Sequence, residues 1–228
     1  MNRFWDDFYA KHECKFFKDR KWLQIEFPEI CVQRSKEEEF KILEIGCGVG
    51  NTSFPILSMT NSCVLLTATD FSPEAIKQVL ANPNFDAARM SALTYDVSLN
   101  DKELPVPPDS QDLVICIFVL SAVNPNALST SLANIYRMLK PGGMMLFRDY
   151  ARMDLTQLRF KANRMIEKDF YIRGDGTCVH FFDKEEMHKL VEQVGFQVIQ
   201  NSIDKRLLVN RATKVEMYRS WIQGKYRK

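Results

Sequence analysis

Within this 228-residue chain, the run Lys41-Ile-Leu-Glu-Ile-Gly-Cys-Gly-Val-Gly-Asn51 limits the fold more than any other stretch. A short apolar strand ends near Glu44. A turn carrying Gly46, Gly48 and Gly50 follows, and a helix is expected to start at Asn51 or Thr52. Glycines there let the backbone turn sharply and let a bulky ligand approach where a Cβ would collide. The run does not continue into Gly-Lys-Ser/Thr, which argues against a phosphate-cradling loop. Its spacing is Gly-x-Gly-x-Gly, tighter than the Gly-x-Gly-x-x-Gly of dinucleotide sites.

The pattern downstream alternates between strand and helix. Strand 42–45 is expected to lead into a helix over 52–59, and strand 64–69 ends at Asp70. Ser72 then caps a helix with Pro73 in its first turn. A third strand covers 90–95 and 104–108 is a proline-rich loop. The wholly apolar run 112–120 reads as a central parallel strand. A helix over 128–139 stops at Lys140-Pro-Gly-Gly143, and strand 144–147 follows. Such alternation builds a doubly wound, mostly parallel sheet with helices on both faces. Residues 148–182 break the rhythm and read as an insertion. An amphipathic helix over 183–194, strand 196–203 and a β-prone arm over 213–226 close the chain as an antiparallel hairpin. Residues 1–30 read as an aromatic helical arm, with Trp5 and Tyr9 on one helix face by their i, i+4 spacing. The expected division is an arm and connector over 1–40 and one domain over 41–228, with 148–182 inserted within it.

Composition narrows the class. A hydrophobic share of 46% and a charged share of 26% belong to an ordinary globular protein. No apolar run reaches membrane-span length, and the N-terminus lacks signal or transit character. Six scattered cysteines without Cys-x-x-Cys, and three dispersed histidines, give no zinc spacing, so no metal is expected. Reduced thiols point to the cytoplasm, with nucleus and mitochondrion left open. The net charge of +2 conceals an asymmetry. Residues 205–228 carry eight Lys/Arg against Glu216 alone, a balance of +7. Segments 11–22 and 148–173 carry +3 each, which leaves −11 for the remainder. Basic segments on an acidic body suit a polyanion, although a solvated basic face has the same composition.

The glycine spacing resembles motif I of class I S-adenosylmethionine methyltransferases, and Leu139-Lys-Pro-Gly-Gly143 before a strand resembles their later turn. In a parallel α/β sheet, ligands sit beyond the carboxyl ends of the strands. Three acids fall there: Glu44, Asp70 and Asp96. Asp70 is placed to accept both ribose hydroxyls, and Asp96 the adenine amino group with Val97 beside the ring. Glu44 is placed to orient the methionine ammonium through water. A nicotinamide dinucleotide also wants an acid after strand two, but the glycine spacing disfavours it.

Several longer runs carry a narrower resemblance. Phe4-Trp-Asp-Asp-Phe-Tyr9, Phe16-Phe-Lys-Asp-Arg-Lys-Trp22, Phe147-Arg-Asp-Tyr150, Gln157-Leu-Arg-Phe160 and Phe170-Tyr-Ile-Arg-Gly-Asp-Gly-Thr177 resemble the tRNA 3-methylcytidine methyltransferases nearly end to end. Val209-Asn-Arg211 and Met217-Tyr-Arg-Ser-Trp-Ile-Gln223 look closest to the threonine-/arginine-tRNA branch. The resemblance implies a Rossmann-like fold with a mostly parallel seven-stranded sheet and an insertion after strand five. It implies a cofactor pocket using Trp5, Tyr9, Gly46, Gly48, Asp70, Asp96, Val97 and Ile117. Its partners would be tRNA and an auxiliary aminoacyl-tRNA synthetase or anticodon-binding protein.

The implied reaction forms 3-methylcytidine at position 32 of the anticodon loop. N3 of neutral cytosine already holds an in-plane lone pair, so positioning dominates. Asp149 is the candidate to stabilise the methylated base, in competition with a cap or an ion pair to Arg148. Tyr150, Phe181 and Phe182 either stack on the base or belong to the core. Lys18, Arg20, Lys21, Arg148, Arg152, Arg159 and Arg173 are candidates for phosphate contacts. For Arg159 and Arg173, ion pairs that lock the insertion are an equal alternative. A methyltransferase acting on a protein or small molecule, or a silent tRNA-delivery subunit, would share many of these features.

Overall fold

The apolar strand that precedes the glycine turn becomes the middle of a seven-stranded sheet. The computed structural model describes residues 2–12, 19–20, 22–31, 38–100, 103–210 and 214–228. Helix α1 (Asn2–His12) opens the chain, and a short α2 (Leu23–Glu26) precedes a 3-10 turn at Pro28–Cys31. Strand β1 (Phe40–Ile45) leads to α3 (Ser53–Met59), β2 (Val64–Asp70), α4 (Pro73–Leu80) and β3 (Met90–Thr94). Then come β4 (Gln111–Ile117), α5 (Leu128–Met138) and β5 (Leu139–Tyr150). The departure from the sheet holds α6 (Leu155–Leu158) and three short strands, β6 (Met165–Glu167), β7 (Phe170–Ile172) and β8 (Cys178–His180). Helix α7 (Lys184–Val194) and the hairpin β9 (Gln197–Asn210) and β10 (Val215–Arg227) finish it.

The strand order is β3-β2-β1-β4-β5-β10-β9, and β6-β7-β8 form a separate small sheet. The first five strands run parallel, while β10 is antiparallel to both β5 and β9. Side-chain alternation divides the apolar residues between two faces. Leu43, Ile45, Val114, Cys116 and Phe147 pack on one side. Ile42, Leu66, Leu113, Ile115 and Leu146 pack on the other. Each fully buried aliphatic side chain contributes about 1.5–3 kcal/mol, so the sheet centre carries much of the fold's stability.

Local signals explain the helix ends. The Ser72 hydroxyl accepts from the Ala75 N–H at 3.2 Å, with Pro73 following it as expected. Asp183 caps α7 by accepting from the N–H groups of Glu185 and Glu186. Two boundaries differ from expectation. The apolar run 112–120 is not one strand: β4 ends at Ile117, and Phe118 turns with φ +60° so that its N–H reaches the Arg148 carbonyl. Leu120–Ala122 is then a 3-10 turn. Likewise, Lys140-Pro-Gly-Gly143 is not a loop between helix and strand. It already belongs to β5, with Gly142 and Gly143 bonded to Lys228 at the end of the chain.

The arm is fastened to this frame. Leu23, Phe27 and Ile30 are buried in the second apolar cluster. The Arg20 N–H donates to the Asn51 carbonyl at 2.9 Å. Helix α1 lies against α4, where the Ser72 hydroxyl donates to Asp6 and the Gln78 amide donates to the Tyr9 carbonyl at 3.0 Å. Among the described residues, no helix is long and apolar enough to cross a membrane.

Candidate functional site

Two cavities open at the carboxyl ends of the parallel strands and share a wall of Trp5, Tyr9, Gly46, Phe118, Ala122 and Thr177. The first measures about 360 Å³ and the second about 510 Å³.

The first cavity gathers the ends of β1, β2 and β3. Asp70, almost fully enclosed, accepts the Gly48 N–H and the Ser72 N–H, each at 2.9 Å. Burial pushes its carboxyl up to about 6, and the two backbone donors pull the other way. Asp96 accepts from the Ser98 N–H at 2.9 Å and the Ser98 hydroxyl at 2.6 Å. Val97 lies beside it, its carbonyl held by the Asn134 amide at 3.0 Å. The glycine turn is packed closely by the protein itself, and of its expected cofactor contacts Gly46 lines both cavities whereas Gly48 lines only the second. Gly46 has φ +64°, and a Cβ there would lie 2.4 Å from a Val119 methyl; one at Gly48 would lie 2.8 Å from the Tyr9 hydroxyl oxygen. Acids at two strand ends, an apolar ring slot at Val97 and a turn without Cβ atoms fit an adenosyl ligand.

Two residues expected in this pocket stand behind it. Glu44 lines neither cavity and is 1% exposed, accepting from the Ser53 hydroxyl at the start of α3. Burial pushes its carboxyl up to about 7. Ile117 is also buried behind the wall, because the turn at Phe118 brings Phe118 and Val119 to the cavity instead. Its carbonyl accepts from Arg20.

The second cavity joins distant parts of the chain: Arg20 and Trp22 from the arm, Tyr150 from β5, Arg173 and Asp175 from the β7–β8 turn, and Arg219 and Trp221 from β10. Arg20 does not extend into solvent as a free phosphate contact. Its guanidinium donates to the Thr52 hydroxyl at 2.9 Å and the Ile117 carbonyl at 3.2 Å, lies 5.6 Å from the Phe118 ring, and is lowered in pKa by burial. Arg173 donates to the Cys178 carbonyl and the Thr177 hydroxyl, and stacks over Tyr150.

Other expected residues lie elsewhere. Asp149 is fully buried and lines neither cavity. Its oxygens accept the Ser121 N–H at 2.9 Å and the Tyr150 N–H at 2.8 Å, and burial pushes its carboxyl up to about 6. It fixes the turn after β4 by holding the Ser121 N–H. Arg148 is 3% exposed, stacked between Trp22 and Trp221, bonded to Gln223 and paired with Asp204 at 2.5 Å. Phe181 and Phe182 are completely enclosed among Tyr150, Tyr171, Phe147 and His180, and are core. Arg152 joins Asp169 and Asp183 and so ties the insertion to α7. Arg159 is exposed at the end of α6, away from both cavities. Lys18 and Lys21 lie outside the described residues.

Phe118, Arg219 and Trp221 are functional candidates that sequence reasoning missed. Phe118 is hidden inside an apolar run. The hairpin did carry a signal: Arg219, Trp221 and Gln223 alternate on one strand face, with Arg148 paired opposite Gln223 and Tyr150 opposite Trp221.

Comparison with known proteins gives consistent matches. A methyltransferase domain family model matches residues 12–201. The chain is 48% identical over 231 residues to the tRNA N(3)-methylcytidine methyltransferase of Schizosaccharomyces pombe, covering 99% of this chain and 74% of that protein. It is 45% identical over 226 residues to the tRNA(Thr) (cytosine(32)-N(3))-methyltransferase of Saccharomyces cerevisiae, covering 97% of this chain and 36% of that longer protein. Among solved structures, the methyltransferase bound to the Trm112 activator in Haloferax volcanii shares the fold. Its TM-score is 0.67 at 17% identity, with 98% of this chain and 96% of that chain covered.

Proposed function

The chain belongs to the tRNA N3-cytidine methyltransferases, and from that premise we propose that its second cavity receives a cytosine of the tRNA anticodon loop while its first holds S-adenosylmethionine. The observation that carries this assignment is the shared wall. A ligand on Asp70 and Asp96 and a base beside Tyr150 would meet at Trp5, Tyr9 and Phe118. By analogy with the Saccharomyces cerevisiae relative, the base is the cytosine at position 32.

When bound, S-adenosylmethionine supplies an electrophilic methyl group. The protein's own part is placement. Asp70 takes the ribose hydroxyls on the lone pairs that its backbone donors leave, and Asp96 with Val97 orients the adenine. Trp5 and Tyr9 close the pocket from α1. N3 of cytosine needs no deprotonation, because its lone pair lies in the ring plane. Holding it in line can therefore supply about 7–11 kcal/mol of the barrier reduction. Tyr150 forms a wall for the base, and an unpaired loop base costs little to extrude. Arg173 and Arg219 face the incoming strand and supply salt-dependent affinity. Arg148 and Asp149 position Tyr150 and the Phe118 turn from behind. We place the reaction in the cytoplasm, consistent with the described cysteines being free thiols. An auxiliary anticodon-binding protein or synthetase is expected to present the tRNA.

The test is nucleoside mass spectrometry of tRNA transcripts incubated with purified protein and labelled S-adenosylmethionine, with and without cell extract. Labelled 3-methylcytidine in the anticodon loop is expected, and extract should raise its yield. Label in protein or small molecules, with none in tRNA, would overturn the assignment.

A further inference from the structure

The second cavity is cationic in a way that transfer itself does not require. Arg20, Arg173 and Arg219 line it. Among its described lining residues the sole carboxylate is Asp175, which is engaged by the N–H and hydroxyl of Thr177 at 2.9 and 2.7 Å. Buried carboxylates stand behind the lining and do not face the cavity: Asp149 has both oxygens on backbone donors, Asp154 pairs with Arg219, and Glu44 accepts from Ser53.

The aromatic lining has a matching feature. Aromatic faces attract cations, and a cage of them would hold a methylated, positively charged base. Here four of those faces already carry arginine. Arg20 lies over Phe118 at 5.6 Å, Arg173 over Tyr150 at 5.8 Å, Arg219 over Trp221 at 5.2 Å and Arg148 over Trp22 at 5.3 Å. Trp5, Phe8 and Tyr9 pack on one another instead. The arginines are anchored by the protein: Arg219 by enclosed Asp154 at 2.8 Å, Arg20 by Thr52 and Ile117, and Arg173 by Thr177 and Cys178.

Methylation changes the charge of the occupant. The N3 lone pair becomes an N–CH3 bond while the exocyclic amine keeps both hydrogens, so the ring gains a unit positive charge. Like charges brought together in a partly desolvated cavity repel, and one lining carboxylate, Asp175, against three lining arginines offsets that repulsion only in part.

We propose that the arginine-filled lining makes the second cavity selective for an uncharged base, so that the cationic product is held more weakly than the substrate that gave rise to it. Arg173 is the principal specificity-determining residue, because it stacks on the ring that walls the base. The consequence is product release driven by charge, and exclusion of tRNA that is already methylated. This rests on the assignment of the second cavity to the target base.

Four anticodon stem-loops separate charge from shape. They carry cytosine, 3-methylcytidine, uridine or 3-methyluridine at the target position, and their affinities are measured for the intact protein saturated with S-adenosylhomocysteine. In the cytosine pair the methyl adds bulk and charge; in the uridine pair it adds bulk alone, so the double difference isolates charge. The methyl should weaken binding at least ~10-fold in the cytosine pair and less than ~3-fold in the uridine pair. Arg173→Gln should shrink the first gap while leaving the second. Equal gaps in the two pairs, or none in the cytosine pair, would overturn the proposal. Absence of methyl transfer to the cytosine stem-loop under S-adenosylmethionine would instead overturn the assignment beneath it.

Discussion

The two cavities share a wall, yet their construction is opposite. The first takes its polar groups, Asp70 and Asp96, from successive strand ends, and anchors them on backbone N–H groups within a few residues or on the adjacent glycine turn. The second takes Arg20, Tyr150, Arg173 and Arg219 from four separate segments spanning most of the chain, and anchors them on one another's neighbours. Under the proposed assignment, acids suit the side given to the cationic sulfonium ligand, and arginines suit the side given to the RNA. A generic half and a specialised half thus meet at Trp5, Tyr9 and Phe118.

The sharpest way to break this comparison is Asp70→Ala. It removes the carboxylate to which we assign the ribose hydroxyls and which also orders Gly48 and Ser72, each charged hydrogen bond contributing about 1.5–3 kcal/mol. Calorimetry should show S-adenosylmethionine affinity falling by about 100-fold or more, while stem-loop affinity changes far less. A comparable loss on both sides would mean that the cavities are a single site.

Arg148→Ala comes next. It strips a buried guanidinium from two tryptophans and from Gln223, and leaves Asp204 with Arg206 alone, a change of about 3 kcal/mol. Denaturant unfolding should record that loss. Methyl transfer at a temperature where the variant is folded should keep its pH profile, since Arg148 supports Trp22 and Trp221 from behind and lines neither cavity itself. A collapse of turnover in the fully folded variant would return Arg148 to the chemistry.

The smallest effect is expected from Glu44→Gln. The folded protein holds the Glu44 proton up to about 7, above the ordinary carboxyl value, because the charge is buried. More protons are bound folded than unfolded in that window, so stability declines as pH rises from about 4.5 through about 7. Glutamine removes that part of the slope, and the variant should gain about 2 kcal/mol at pH 8 after loss of the Ser53 bond to a carboxylate. Thermal melts across pH 5–8 measure it. A slope unchanged from wild type would show that Glu44 is ionised throughout.

The acid that ends β2, the glycine turn and the cap at Ser72 were legible because each depends on residues adjacent in sequence. Phe118 was not, since the residues on either side of it are as apolar as a strand requires and the turn is set by a hydrogen bond to β5. Asp149 was misplaced for a related reason. Its position at a strand end is local, but the backbone donors that consume its oxygens belong to the turn formed by another strand. Arg20 and Phe182 show the same limit: Arg20 was read as a phosphate contact and is held by Thr52 and the Ile117 carbonyl, and of the two readings open for Phe182, base stacking or core, packing chose the core.

What the sequence determined by itself was the alternation of strands and helices, the glycine turn with its acids, and the family. Those follow from short-range backbone geometry and from the period of apolar residues. Only the tertiary structure decided which cations stand over which rings and which carboxylates face a cavity. Burial and neighbour distance, which fix both charge state and orientation, are set by segments far apart along the chain.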